Sequence, residues 1–208
     1  MSVIITIVLL AVNFGISWFN ANTVGRIWSE SKQIGGGARV LAVAGYVMAI
    51  AGFTMVYSVI IIAIIAALGN AGGYFTPEQL QLLIGLSSDL TYVLIVLAVI
   101  PTGIIIWINS LISFWKHKSL RSGGIAAWNS FAMVSNVISA SRNLPSAFGR
   151  IFSSLKNQRG NGAIILLALV VVACAVLGGY FTASAIVKKA DRKYDLFSKV
   201  GMGKLASA

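Results

Sequence analysis

The chain has 208 residues, of which 58% are hydrophobic and only 10% charged, whereas roughly a quarter of a soluble domain is charged. That balance excludes a water-soluble globular protein, and the formal charge of +11 then reports on membrane topology and anionic lipid rather than on nucleic acid. A single cysteine and a single histidine exclude an intrachain disulfide and a metal site built from those ligands, and they leave no nucleophile–base–acid set. No catalytic, cofactor-binding or metal residue is assigned, and an enzyme is the poorest reading.

The first apolar block, 3–19, is long enough to cross a bilayer. It has no basic residue ahead of it, so it reads as a retained span rather than a signal peptide. It contains NFGISWFN at 13–20, which places Asn13, Ser17 and Asn20 on one helical face. Residues 23–33 suit a short interfacial helix with Val24, Ile27 and Trp28 inward, and IGGGAR at 34–39 interrupts the chain. The second span covers 40–68, with Gly45 and Gly52 allowing close helix contact.

After GGYFT at 72–76, the stretch TPEQ predicts a helix start, with Thr76 as N-cap, Pro77 in the first turn and Gln79 closing a capping box. The helix from there to about Trp115 is longer than a bilayer. Its membrane portion is 90–115, with Pro101 inside it. Asp89, at the outer boundary, is a candidate ion or hydrogen-bond site, and the interfacial hydrogen-bonding role is the more ordinary one. NSLISFWK at 109–116 puts Asn109 and Ser113 on one face. Together with Asn13, Ser17 and Asn20 they form a polar stripe that suits either a narrow aqueous path or interhelical hydrogen bonds.

Residues 116–162 form a long basic stretch. Its segment 125–141 is rich in Ser and Asn and too polar for a preferred span. Further on, Pro145 is expected to start an amphipathic helix over 145–156. Phe148, Ile151, Phe152 and Leu155 make its apolar stripe, and Arg150 and Lys156 suit an interfacial position against anionic headgroups. The last span covers 163–187 and is followed by a basic tail, 188–208.

The predicted class is therefore an all-α integral membrane protein with four transmembrane helices. NxxIS followed by two aromatics, and then GGYFT, occur twice in the same order. They predict a two-plus-two parallel repeat, 1–76 and 77–187, about an axis along the membrane normal. The positive-inside rule puts the basic loops in the cytoplasm and both termini outside. The tail's lysines strain that placement; a fifth span at 125–141 would relieve it but would move 142–159 outside.

The functional expectation is a non-catalytic building block of a bacterial-type cytoplasmic membrane. It would self-assemble into a homo-oligomer or anchor a larger membrane complex, in contact with a bilayer carrying anionic headgroups. A channel or holin-like pore lined by the Asn/Ser stripe is the alternative, and a small-solute transporter with duplicated halves ranks third.

Overall fold

The computed structural model describes residues 3–156 and 162–194, and all of the secondary structure there is helical. The helices are α1 (Val3–Arg26), α2 (Trp28–Ile34), α3 (Gly36–Gly72), α4 (Pro77–His117), α5 (Leu120–Lys156) and α6 (Gly162–Tyr194). Four stretches are long and apolar enough to cross a membrane: Ile4–Ile34, Gly36–Gly72, Pro77–His117 and Gly162–Tyr194. The protein is a polytopic integral membrane protein.

Local chemistry sets the breaks. Gly35 and Gly36, with φ of 70° and 50°, turn the chain from α2 into α3 in a conformation that side-chain-bearing residues avoid. Gly73 closes α3 in the left-handed region. The predicted capping box at α4 is present: the Gln79 amide donates to Thr76 Oγ1 at 3.3 Å, and the Thr76 amide donates to Gln79 Oε1 at 3.0 Å. Lys118, at φ 44°, ends α4 by donating its amide to the Phe114 carbonyl. Ser119 and Ser122 then cap α5 reciprocally, each hydroxyl accepting the other's amide.

Helix directions follow from which residues meet. Gly52 lies on Asn13 and Ser17, and Gly45 lies on Val24, so α1 and α3 are antiparallel. Tyr46 bonds Ser184 while Tyr57 bonds Thr182, and Gly179 lies against Ile50 and Thr54, so α3 and α6 are antiparallel too. Ser58 meets Thr91, and Gly103 faces Met48, which sets α4 antiparallel to α3. α3 and α6 form the central pair, and α1 and α4 each pack against both. One apolar cluster joins Leu83, Leu86 and Val93 of α4 to Ala147 and Ile151 of α5 and to Ile164 and Ala168 of α6. A second joins Ala21 and Val24 of α1 to Ala49 and Phe53 of α3 and to Ala183 and Val187 of α6.

The largest departure from expectation is α5. Residues 120–156 form one continuous helix of 37 residues, with Pro145 inside it rather than at the start of a separate helix. It runs antiparallel along α4: Gly123 at Phe114, Ser130 at Trp107, Met133 at Gly103, Ser139 at Tyr92 and Arg150 at Asp89. The physical reason is a seam of buried residues at every seventh position, Ala126, Met133, Ala140 and Ala147, which lets α5 lie close on α4 in coiled-coil fashion.

This return helix changes the topology. α1, α4 and α6 run one way, and α3 and α5 run the other. A two-plus-two parallel repeat requires α3 and α6 to be parallel, so the expected repeat is not reproduced in helix direction. The two GGYFT motifs also differ. In the first, Gly72 ends α3 and 73–76 form the turn to α4, whereas 178–182 lie in the uninterrupted interior of α6. Residues 3 and 194 are at opposite ends of the bundle, not at the same end as expected. Of the predicted basic tail, 195–208 lie outside the described residues, as does Arg159.

Candidate functional site

Polar groups at the helix contacts separate into three sets. The first is structural. Tyr57 Oη and Thr182 Oγ1 are 2.7 Å apart, Ser58 Oγ and Thr91 Oγ1 are 2.9 Å apart, and the Tyr46 hydroxyl bonds that of Ser184. Asn13 and Ser17, from the predicted stripe, belong here. Asn13 Nδ2 donates to the Gly52 carbonyl at 3.1 Å, and Ser17, only 2% exposed, donates to the Asn13 carbonyl at 2.8 Å. Both occupy the α1–α3 contact that Gly52 makes possible.

The second set forms a cavity of about 520 Å³ bounded by α1, α3, α4 and α5. The other three stripe residues, Asn20, Asn109 and Ser113, meet there although they come from α1 and α4. Thr23, Ser110, His117, Ser119, Arg121, Ser122 and Asn129 complete its polar lining, and Leu41, Met48 and Ile106 contribute apolar walls. Sequence reasoning grouped Asn109 with Asn13 by motif, and it missed Arg121 and Asn129 because it left 120–129 outside any packed helix. The two polar residues follow directly from a hairpin in which α5 retraces α4.

The third set is charged. Asp89 receives two hydrogen bonds from Arg150, Nε to Oδ2 at 2.8 Å and Nη2 to Oδ1 at 2.6 Å, so the candidate ion site is occupied by a guanidinium from α5. This bidentate pair joins two helices at the end away from the α4–α5 turn. Ile151 is buried in the adjoining cluster, while Phe148 and Phe152 stack on each other at the surface with Leu155 and Lys156 also exposed. The predicted apolar stripe is thus split between the bundle and the outside.

At the opposite end, the amide and hydroxyl of Ser29, in the first turn of α2, both donate to Asp191 Oδ1, at 3.1 and 2.7 Å. A carboxylate from α6 therefore caps α2. Arg26 stacks 4.7 Å from the ring centre of Tyr194, and Arg39 lies 4.0 Å from that of Trp28. The Asp191 and Tyr194 contacts tie the end of α6 to the first basic segment, and the Arg39 contact ties α3 to α2. Among the described residues, no three His, Cys, Asp or Glu side chains come together as metal ligands.

No protein-family model, curated protein or solved structure matches the chain.

Proposed function

We infer that this is a non-catalytic membrane subunit that self-assembles through α5. The observation that carries this reading is the one-sided packing of α5. Its middle, 125–141, lies beside the apolar centre of α4, yet it packs on α4 alone. Trp128 and Phe131 are 66% and 68% exposed, and beside them Ser135, Asn136, Ser139, Arg142 and Asn143 form an exposed polar flank, in which Asn143 donates to the Ser139 hydroxyl and Asn136 and Ser139 also border a cavity with α3 and α4. Polar side chains at hydrocarbon depth need partners, and a second copy presenting the same flank supplies them. Native mass spectrometry of gently extracted protein tests this. A discrete homo-oligomer that falls apart in Asn136→Leu/Ser139→Leu is expected, and a wild-type monomer sinks it.

The same flank favours one second reading, a pore in which α5 rather than the 13–20 stripe lines the water path. Loss of conductance in the Asn136→Leu/Ser139→Leu variant, with the oligomer intact, would select it.

The proposed membrane topology has five crossings, with the N-terminus outside and the C-terminus in the cytoplasm. What supports it is charge: Arg26, Lys32, Arg39, Lys116, Lys118, Arg121, Lys188, Lys189, Arg192 and Lys193 all belong to one end of the bundle, and only Arg142, Arg150 and Lys156 among the described residues lie toward the other. In a Cys174→Ser background, an impermeant maleimide added outside should label Lys156→Cys and spare Lys189→Cys. A four-crossing arrangement predicts the reverse.

A further inference from the structure

The cavity at the basic end has polar groups that helix packing leaves unused. Asn20, Thr23, Asn109, Ser113, Asn129 and Arg121 line it without a hydrogen bond to any described residue. Asparagine and serine between transmembrane helices ordinarily pair across the contact, as Asn13 does with Gly52. Six such side chains around one space match a ligand with several acceptor oxygens.

The charge of the space is one-signed. Arg121 and His117 line it, no Asp or Glu does, and Lys116 and Lys118 flank His117 in the chain. The imidazole offers a donor in either protonation state. Ser119 caps α5 at the cavity wall, so the Leu120 and Arg121 amides, at the start of the helix, have no intrahelical acceptor and add positive potential.

The remaining walls are apolar: Leu41 and Met48 of α3 and Ile106 of α4 form the floor. Phe19 of α1 and Ile125 of α5 stand on opposite sides. α1 and α5 are not among the helix pairs that pack together, and Phe19 and Ile125 are both exposed, which leaves an apolar exit for an acyl chain between the two helices. A soluble anion has no use for such a floor, whereas an amphiphile does.

We propose that this cavity holds one anionic phospholipid. Its phosphate sits on Arg121 and His117, its glycerol and ester oxygens accept from Asn20, Asn109 and Asn129, and an acyl chain leaves between α1 and α5 over Met48 and Ile106. The site goes beyond the assembly reading and is independent of subunit number, because every residue in it comes from one chain.

The test is to strip lipid in detergent, titrate with phosphatidylglycerol or phosphatidylcholine, and count bound lipid per subunit by native mass spectrometry. One phosphatidylglycerol per subunit is expected, with phosphatidylcholine held about tenfold more weakly. Arg121→Gln, at an exposed position that should not disturb folding, is expected to bring phosphatidylglycerol down to the phosphatidylcholine level. Asn109→Leu should weaken both lipids. Equal binding of the two lipids by the wild type would overturn the proposal, as would unchanged binding in both variants. Displacement of the bound lipid by millimolar inorganic phosphate would reassign the space to a free anion. A failure here leaves the oligomer measurement untouched, since bound lipid and subunit number are read separately from the same spectrum.

Discussion

The seam between α3 and α6 and the seam between α4 and α5 are both long antiparallel contacts, yet they are built differently. At α3–α6 the backbones nearly touch. A Cβ placed on Gly179 would lie 2.6 Å from Thr54 Oγ1 and 2.8 Å from the Ile50 carbonyl, and the Tyr46 and Tyr57 hydroxyls bond across the contact to Ser184 and Thr182. Both helices are also covered by further helices. At α4–α5 the contact uses alanines and one methionine on a single face, and the other side of α5 is bare. Lipid offers no hydrophobic driving force between helices, so close backbone approach and hydroxyl pairs hold the first seam. The second seam leaves surface for something else to cover.

If that contrast is right, substitutions on the α3–α6 seam and on the bare side of α5 should differ in size and sign. The largest effect is expected from Gly179→Val, whose branched side chain has no room. It should cost about 3 kcal/mol, read as a lower unfolding midpoint in a detergent titration. Tyr57→Phe removes the bond to Thr182 and keeps the ring, so a loss of about 1 kcal/mol is expected in the same assay. The smallest and opposite effect belongs to α5. Nothing lies within 4 Å of a Cβ built on Gly149, so Gly149→Ala should gain about 0.5–1 kcal/mol from helix propensity alone. A loss at Gly149 equal to that at Gly179 would mean that this side of α5 is not bare.

The spans were legible because uninterrupted apolar runs such as 59–68 and 164–177 admit no other reading, and Thr76, Pro77 and Gln79 fixed a helix start from three letters. α5 was not, because Ser and Asn punctuate its apolar positions and a hydropathy window averages them away. Its seventh-residue rhythm, Ala126 to Ala147, was the signal that would have found it. The apparent repeat misled for the opposite reason: in a chain of few letter types, short matches such as GGYFT recur without a common structure behind them. With α5 missing, the contacts that bring Asn20, Asn109 and Asn129 to one cavity had no basis, since no pattern along the chain links residues that only a returning helix makes neighbours. The uneven charge was legible throughout, and the end of the bundle to which each basic segment belongs was not, because that depends on the direction of α5.

The polar character of α5 also has a consequence for how the chain is made. A segment holding Asn129, Ser130, Ser135, Asn136 and Ser139 would be rejected by hydrocarbon if it met the bilayer alone. In the five-crossing arrangement proposed above, it enters as the second arm of a hairpin whose first arm, α4, is already in place, with the Lys118–Ser119 turn on the cytoplasmic side. The order of insertion is then part of the information that specifies the protein. In that five-crossing arrangement, a chain lacking α4 would leave α5 stranded on the outer side, where α3 ends, and would lose the cavity that α4 and α5 help to line.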